Sequence, residues 1–122
     1  MIEKFNPILY PIQLFVSFGE NLGLYLSNFV ERDGSEIIDT NWDKANAFVF
    51  YDICEKDTGL WSILIAFRTK KVAEIGIVAH ESKHAADRIF EHIGEENMVS
   101  EPHAYLVEWV ANCINEAKNK RK

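Results

Sequence analysis

Only two cysteines stand in this chain of 122 residues, Cys54 and Cys113, far apart in sequence and each inside an apolar stretch. That is too little for a disulfide framework or a cysteine metal site, so both read as small buried hydrophobes, and a reducing compartment is expected. Positive charge is also short: 13 Lys and Arg stand against 19 Asp and Glu, for a net charge of −6. Nucleic acid and anionic membrane bind clustered Lys and Arg, so neither is an expected partner. The one basic run, Lys118 to Lys122, suits a helix end, where cations complement the negative pole of the dipole. Long hydrophobic runs are missing as well. The uncharged stretch from Phe5 to Gly19 is broken by Pro7, Pro11 and Gln13, falls short of the ~20 residues of a membrane-spanning helix, and shows no small-residue cleavage site. No membrane span or signal peptide is expected, and the expected localisation is cytoplasmic.

What is present describes a soluble globular domain, 48% apolar and 26% charged, with no repeat, low-complexity tract or linker to divide it. A single domain over residues 1–122 is expected. Ile12, Leu14, Val16 and Phe18 alternate at period two and predict a strand over 11–18. Leu22, Leu26, Phe29 and Val30 follow helical spacing and predict a helix over 20–32, ended by Asp33-Gly34. Residues 35–45 have no clear period. Ala47 to Cys54 and Leu60 to Phe67 are nearly all apolar and predict central strands, joined as an antiparallel hairpin by the turn-forming Glu55 to Gly59. Thr69 is read as the N-cap of a long helix with Ile75, Val78, Ser82, Ala86, Ile89 and Ile93 as its stripe, closed by Gly94. Ser100 caps a last helix, with Pro102 in its first turn and Leu106, Trp109, Val110, Cys113 and Ala117 buried. The expectation is an α+β fold in the order βαββαα, with roughly three strands packed on the two long helices. Trp42, Trp61 and Trp109 read as packing residues rather than a binding platform.

One short motif carries a built-in mechanism: His80-Glu81-Ser82-Lys83-His84. At 3.6 residues per turn, His80 and His84 stack on one helix face, so two imidazoles can share a metal while Glu81 points towards a water on it. By residue usage alone, a chance His-Glu-x-x-His in a chain this long is expected in well under about 1% of sequences. A catalytic zinc site has three protein ligands and one open position. Glu101, opening a helix that a short loop folds back beside the first, is the favoured third ligand, and His103 is its rival. Tyr105, one turn after Glu101, is placed to orient a ligand imidazole or to hydrogen-bond a developing oxyanion. For His103 the alternatives are a substitute ligand, a catalytic electrophile or an exposed first-turn residue. His92 lies about 120° around the helix from His80 and cannot join them. The plain structural alternative makes His80 and His84 ordinary helix-surface residues near Glu81 and Asp87.

The pair His80-Glu81-Ser82-Lys83-His84 and Glu101-Pro102-His103-Ala104-Tyr105 resembles the zincin superfamily in its glutamate-ligand, or gluzincin, branch. It is most similar to the small zincin-like metallopeptidases of prophages and mobile elements, over roughly residues 60 to 112. The resemblance implies a zinc ion held by His80, His84 and Glu101, with Glu81 as general base and Tyr105 in the position that supports the ligands. The implied reaction is hydrolysis of a peptide bond, Glu81 taking a proton from water and passing it to the leaving amine. A peptide or protein substrate would extend the sheet along the Leu60 to Phe67 strand if that strand is an edge. Two positions depart from the family pattern. Tyr105 replaces Asp or Asn, and Lys83 puts a charge at a usually uncharged position. A Lys83 facing the cleft would repel the metal and leave a fold without activity, a binding or regulatory module of a phage or mobile element.

Overall fold

The computed structural model describes residues 1–7, 9–38 and 45–120; Trp42 lies outside them. The architecture is α+β. Strands β1 (Ile2–Phe5) and β2 (Gln13–Phe18) are followed by a short helix α1 (Leu22–Leu26), then β3 (Phe29–Glu31), β4 (Ala47–Glu55) and β5 (Trp61–Phe67), and finally the long helices α2 (Ile75–His92) and α3 (Glu101–Lys118). Among the described residues the sheet has five strands, not three, in the order β1-β2-β5-β4-β3. All neighbours are antiparallel except β2 and β5, which run parallel.

β2 and β5 are mostly apolar and buried along nearly their whole length because both sheet faces are covered at that point. Leu14, Val16, Ile63, Ile65 and Phe67 face α2 and α3, packing on Ala85, Ala86, Ile89, Val110 and Ile114. The alternate residues Phe15, Leu64 and Ala66 face the other way, onto Leu22, Tyr25 and Leu26 of α1 and onto Phe29. Period-two alternation thus sorts one strand between two cores. α2 lies over β4 and β5, and α3 lies beside α2, over β2 and β1.

The expected hairpin is present: β4 and β5 pair from Ala47↔Phe67 to Cys54↔Trp61. Between Phe50 and Ile53 the register shifts, and Asp52 takes a positive φ of 56°. The extra residue of this bulge keeps Phe50 and Ile53 on the same face of the sheet although they are three positions apart. Two element boundaries are corrected, and one condition for substrate pairing is not met. The helix expected over 20–32 stops at Leu26, capped at its start by the Asn21 side chain; Phe29 to Glu31 instead pair with Ile53 to Glu55 as an edge strand. The long helix begins at Ile75, not near Thr69, whose hydroxyl accepts from Val72 N–H in the preceding turn. The Leu60 to Phe67 strand is central, between β2 and β4, so a substrate has no edge to add to there. Gly94, with φ of 81°, closes α2, and Ser100 caps α3 through His103 N–H, as their residue types predict.

Candidate functional site

α2 presents its motif with different parts facing different surroundings. Ser82, Ala85, Ala86 and Ile89 sink into the core, which fixes the rotation of the helix and leaves His80 and His84 on the exposed side. Their Nε2 atoms lie 3.1 Å apart, with the rings nearly perpendicular. Two imidazole nitrogens on one tetrahedral zinc, each ~2.05 Å from it, would lie about 3.3 Å apart, so the pair is close to the spacing that a shared metal needs.

Glu81 is only 6% exposed and lies on the side of α2 that meets β4. Its Oε2 has no hydrogen-bond partner. Burial pushes its carboxyl above the usual range, against the opposing pull of His80 and His84. A cavity of about 270 Å³ opens at this carboxylate, lined by Glu81, His84 and Arg88 from α2 and by Ala47, Phe48, Val49 and Tyr51 from β4. The Arg88 guanidinium lies 3.8 Å from the centre of the Tyr51 ring and forms the far wall.

Among the described residues that stretch of β4 is an edge. β3 covers only Ile53 to Glu55, and among the described residues no strand pairs with the outer side of Ala47 to Phe50. Arg68 N–H donates to the Asn46 carbonyl at 2.8 Å, so by antiparallel alternation Phe48 and Phe50 bond inward to β5, while the backbone groups of Ala47 and Val49 point outward.

Lys83 does not face this cavity. Its ammonium donates to both carboxylate oxygens of Asp87, each at 2.7 Å, on an exposed face. Asp87 has a second partner, since His103 Nε2 donates to its Oδ1 at 2.8 Å. His103 is 3% exposed and packs edge-on against Phe90, so the exposed-residue alternative is corrected to a buried tie between α3 and α2. With His103 facing α2, Glu101 lies about 200° away around the same helix and is exposed. Tyr105 is 66% exposed and borders an apolar cleft of about 730 Å³ between α3 and the β1–β2 connection, together with Pro7, Tyr10 and Trp109. Among the described residues no three His, Cys, Asp or Glu side chains are gathered as a metal would need. The structure pairs the His80 and His84 imidazoles and sets Glu81 in a cavity that His84 also lines, while Glu101 is exposed and Tyr105 borders a different cleft.

Comparison with protein-family models, with curated proteins and with solved structures finds no match. The remaining candidates have structural surroundings. His92 lies with its ring 5.4 Å from Trp61, at the far end of α2. Cys54 and Cys113 are both free thiols, Cys113 buried. Lys118 and Lys120 of the basic run bond the Ala73 carbonyl and Glu3. Among the described residues no helix is long and apolar enough to cross a membrane. Sequence reasoning missed the Asp87–His103 tie and the open half of β4. Asp87 stands at i+3 from His84, a spacing that places it on the same face of the helix.

Proposed function

We propose that the chain is a zinc-dependent peptidase that uses His80 and His84 as metal ligands and Glu81 as general base. The observation that carries the reading is the juxtaposition of two imidazole nitrogens 3.1 Å apart with a buried carboxylate whose Oε2 is unbonded. Zinc held there would supply polarisation of a peptide carbonyl and a more acidic water. Glu81 supplies what a general base requires: a free acceptor atom and a carboxyl whose affinity for protons is raised by burial. The open edge of β4 suits a peptide substrate, because the outward backbone groups of Ala47 and Val49 can pair with an extended chain laid along the cavity. Glu101 has the right donor chemistry for the third ligand, and its use would need the first turn of α3 to present a different face to α2.

The decisive experiment is elemental analysis of untagged protein, purified without chelator, beside His84→Ala. The expected result is about one zinc per chain, lost in the variant. Protein that takes up no zinc even after dialysis against it would overturn the reading. In zinc-loaded protein, Glu81→Gln is expected to keep the metal and lose peptide hydrolysis by at least about a hundredfold.

The outward position of Glu101 and Tyr105 favours one second reading, a zincin-like fold that binds peptides without cleaving them. Under that reading Glu81→Gln leaves peptide binding unchanged and there is no hydrolysis to lose.

A further inference from the structure

The cleft of about 730 Å³ beside Tyr105 shares no lining residue with the Glu81 cavity. One wall is the β1–β2 connection, with Pro7, Leu9 and Tyr10; the other is a face of α3, where Pro102, Tyr105 and Trp109 follow one another at three- and four-residue spacing. Leu9 and Tyr105 are 85% and 66% exposed, so each wall holds a large side chain's apolar surface in water, as at a binding surface. Tyr10, Tyr105 and Trp109 each also carry a donor, two hydroxyls and an indole N–H, and none of these is hydrogen-bonded among the described residues. Glu101 and Glu108 stand a turn before and a turn after Tyr105 on the same side of α3, both exposed and neither paired with a cation among the described residues.

We propose that this cleft binds a proline-rich segment of a partner protein in the polyproline II conformation, with a basic residue of that segment against Glu101 and Glu108. Rings on both walls suit proline rings laid against them. The unused donors separate this occupant from an amphipathic helix: a polyproline II chain has no internal hydrogen bonds and offers its carbonyls, whereas a helix has spent its own on itself. The two unpaired carboxylates set the sign of the flanking charge. Such docking needs no metal.

The test is isothermal titration calorimetry with synthetic peptides of about ten residues, enough for three polyproline II turns. The probe carries repeated Pro-x-x-Pro and one terminal arginine; the controls replace its prolines by alanine, or its arginine by glutamate. Thermal melts show that each protein variant is folded. The expected result is saturable binding of the probe tighter than about 1 mM, and no binding of the alanine control. Tyr105→Ala, at an exposed position, should weaken the probe by about tenfold or more. Trp109→Phe, which keeps a ring and removes the N–H, should weaken it by about two- to tenfold. Glu108→Gln and the glutamate control should each weaken it by about two- to fivefold, less as salt is raised. A probe that does not saturate below about 1 mM, an alanine control that binds as well, or a Tyr105→Ala variant that binds as the parent does overturns the proposal. Self-association of the parent in sedimentation, lost in Tyr105→Ala, also overturns it by giving the cleft to a second copy of the chain.

Discussion

Glu81 is an uncomfortable residue in the metal-free protein, since a carboxylate with one oxygen unbonded and 6% of its surface exposed is costly to ionise. Glu81→Gln is therefore expected to stabilise the metal-free fold at neutral pH, by about 1 kcal/mol, read as a raised melting temperature. A site that serves chemistry at the expense of stability behaves this way; a purely structural glutamate would lose stability on the same change. Cys113 offers a test by pH. Burial pushes its thiol from the ordinary 9.0 up to about 12, with the Glu116 carboxylate adding to the shift. Above about pH 9 the unfolded chain gives up this proton while the native state keeps it. Folding stability is then lost as pH rises through the window from 9.0 to about 12. Cys113→Ala, less stable overall for the cavity it leaves, is expected to show a shallower decline across that range in urea melts.

The open half of β4 makes a prediction at the level of the element. Ala47→Pro removes an outward N–H at the first residue of the strand, where proline is tolerated, and leaves the bonds to β5 in place. Peptide affinity should fall several-fold with the melting temperature nearly unchanged; unaltered affinity would mean that substrates do not add to this edge. Gly19 ends β2 with a φ of 143°, and a Cβ there would lie 2.7 Å from the Tyr25 hydroxyl, which donates to the Phe18 carbonyl. Gly19→Ala is expected to cost about 1–3 kcal/mol in chemical denaturation, because it both strains the backbone and displaces Tyr25. The elements legible in the sequence are those with long, regular patterns: the β4–β5 hairpin, and α2 and α3 with Gly94 and Ser100 at their ends. β1 and β3 were not legible, since four and three residues at sheet edges carry too little period, and Phe29 and Val30 fit a helical stripe as well as a strand. Pairing with Cys54 and Glu55, distant in sequence, settles the choice. For the site, His80, Glu81 and His84 follow from spacing within one helix. The direction of Glu101 and His103 does not, because rotation of α3 is set by what it packs against.

Taken whole, the molecule puts its candidate chemistry on the rim of a well-packed core rather than inside it. Zinc bound as proposed should therefore stabilise the fold without being required for it. Zinc at a hundredfold excess over its dissociation constant is expected to add about 2.7 kcal/mol, and excess chelator should return the melting temperature to the metal-free value without unfolding the protein. A chain that unfolds on chelation would point to a structural metal instead. The parallel pairing of β2 with β5 also has a bearing on how the chain reaches this state. β5 can meet β4 across a five-residue turn, but its other neighbour, Gln13–Phe18, lies more than forty residues upstream in the chain. The hairpin and the two helices that follow it are local and quick to form, whereas closing the sheet at β2 must wait for that long loop. Assembly should thus proceed from the C-terminal two-thirds, with the motif helix docked before β1, β2 and α1 arrive. In pulse-labelling hydrogen exchange, amides of β5 that face β4 should gain protection before those that face β2.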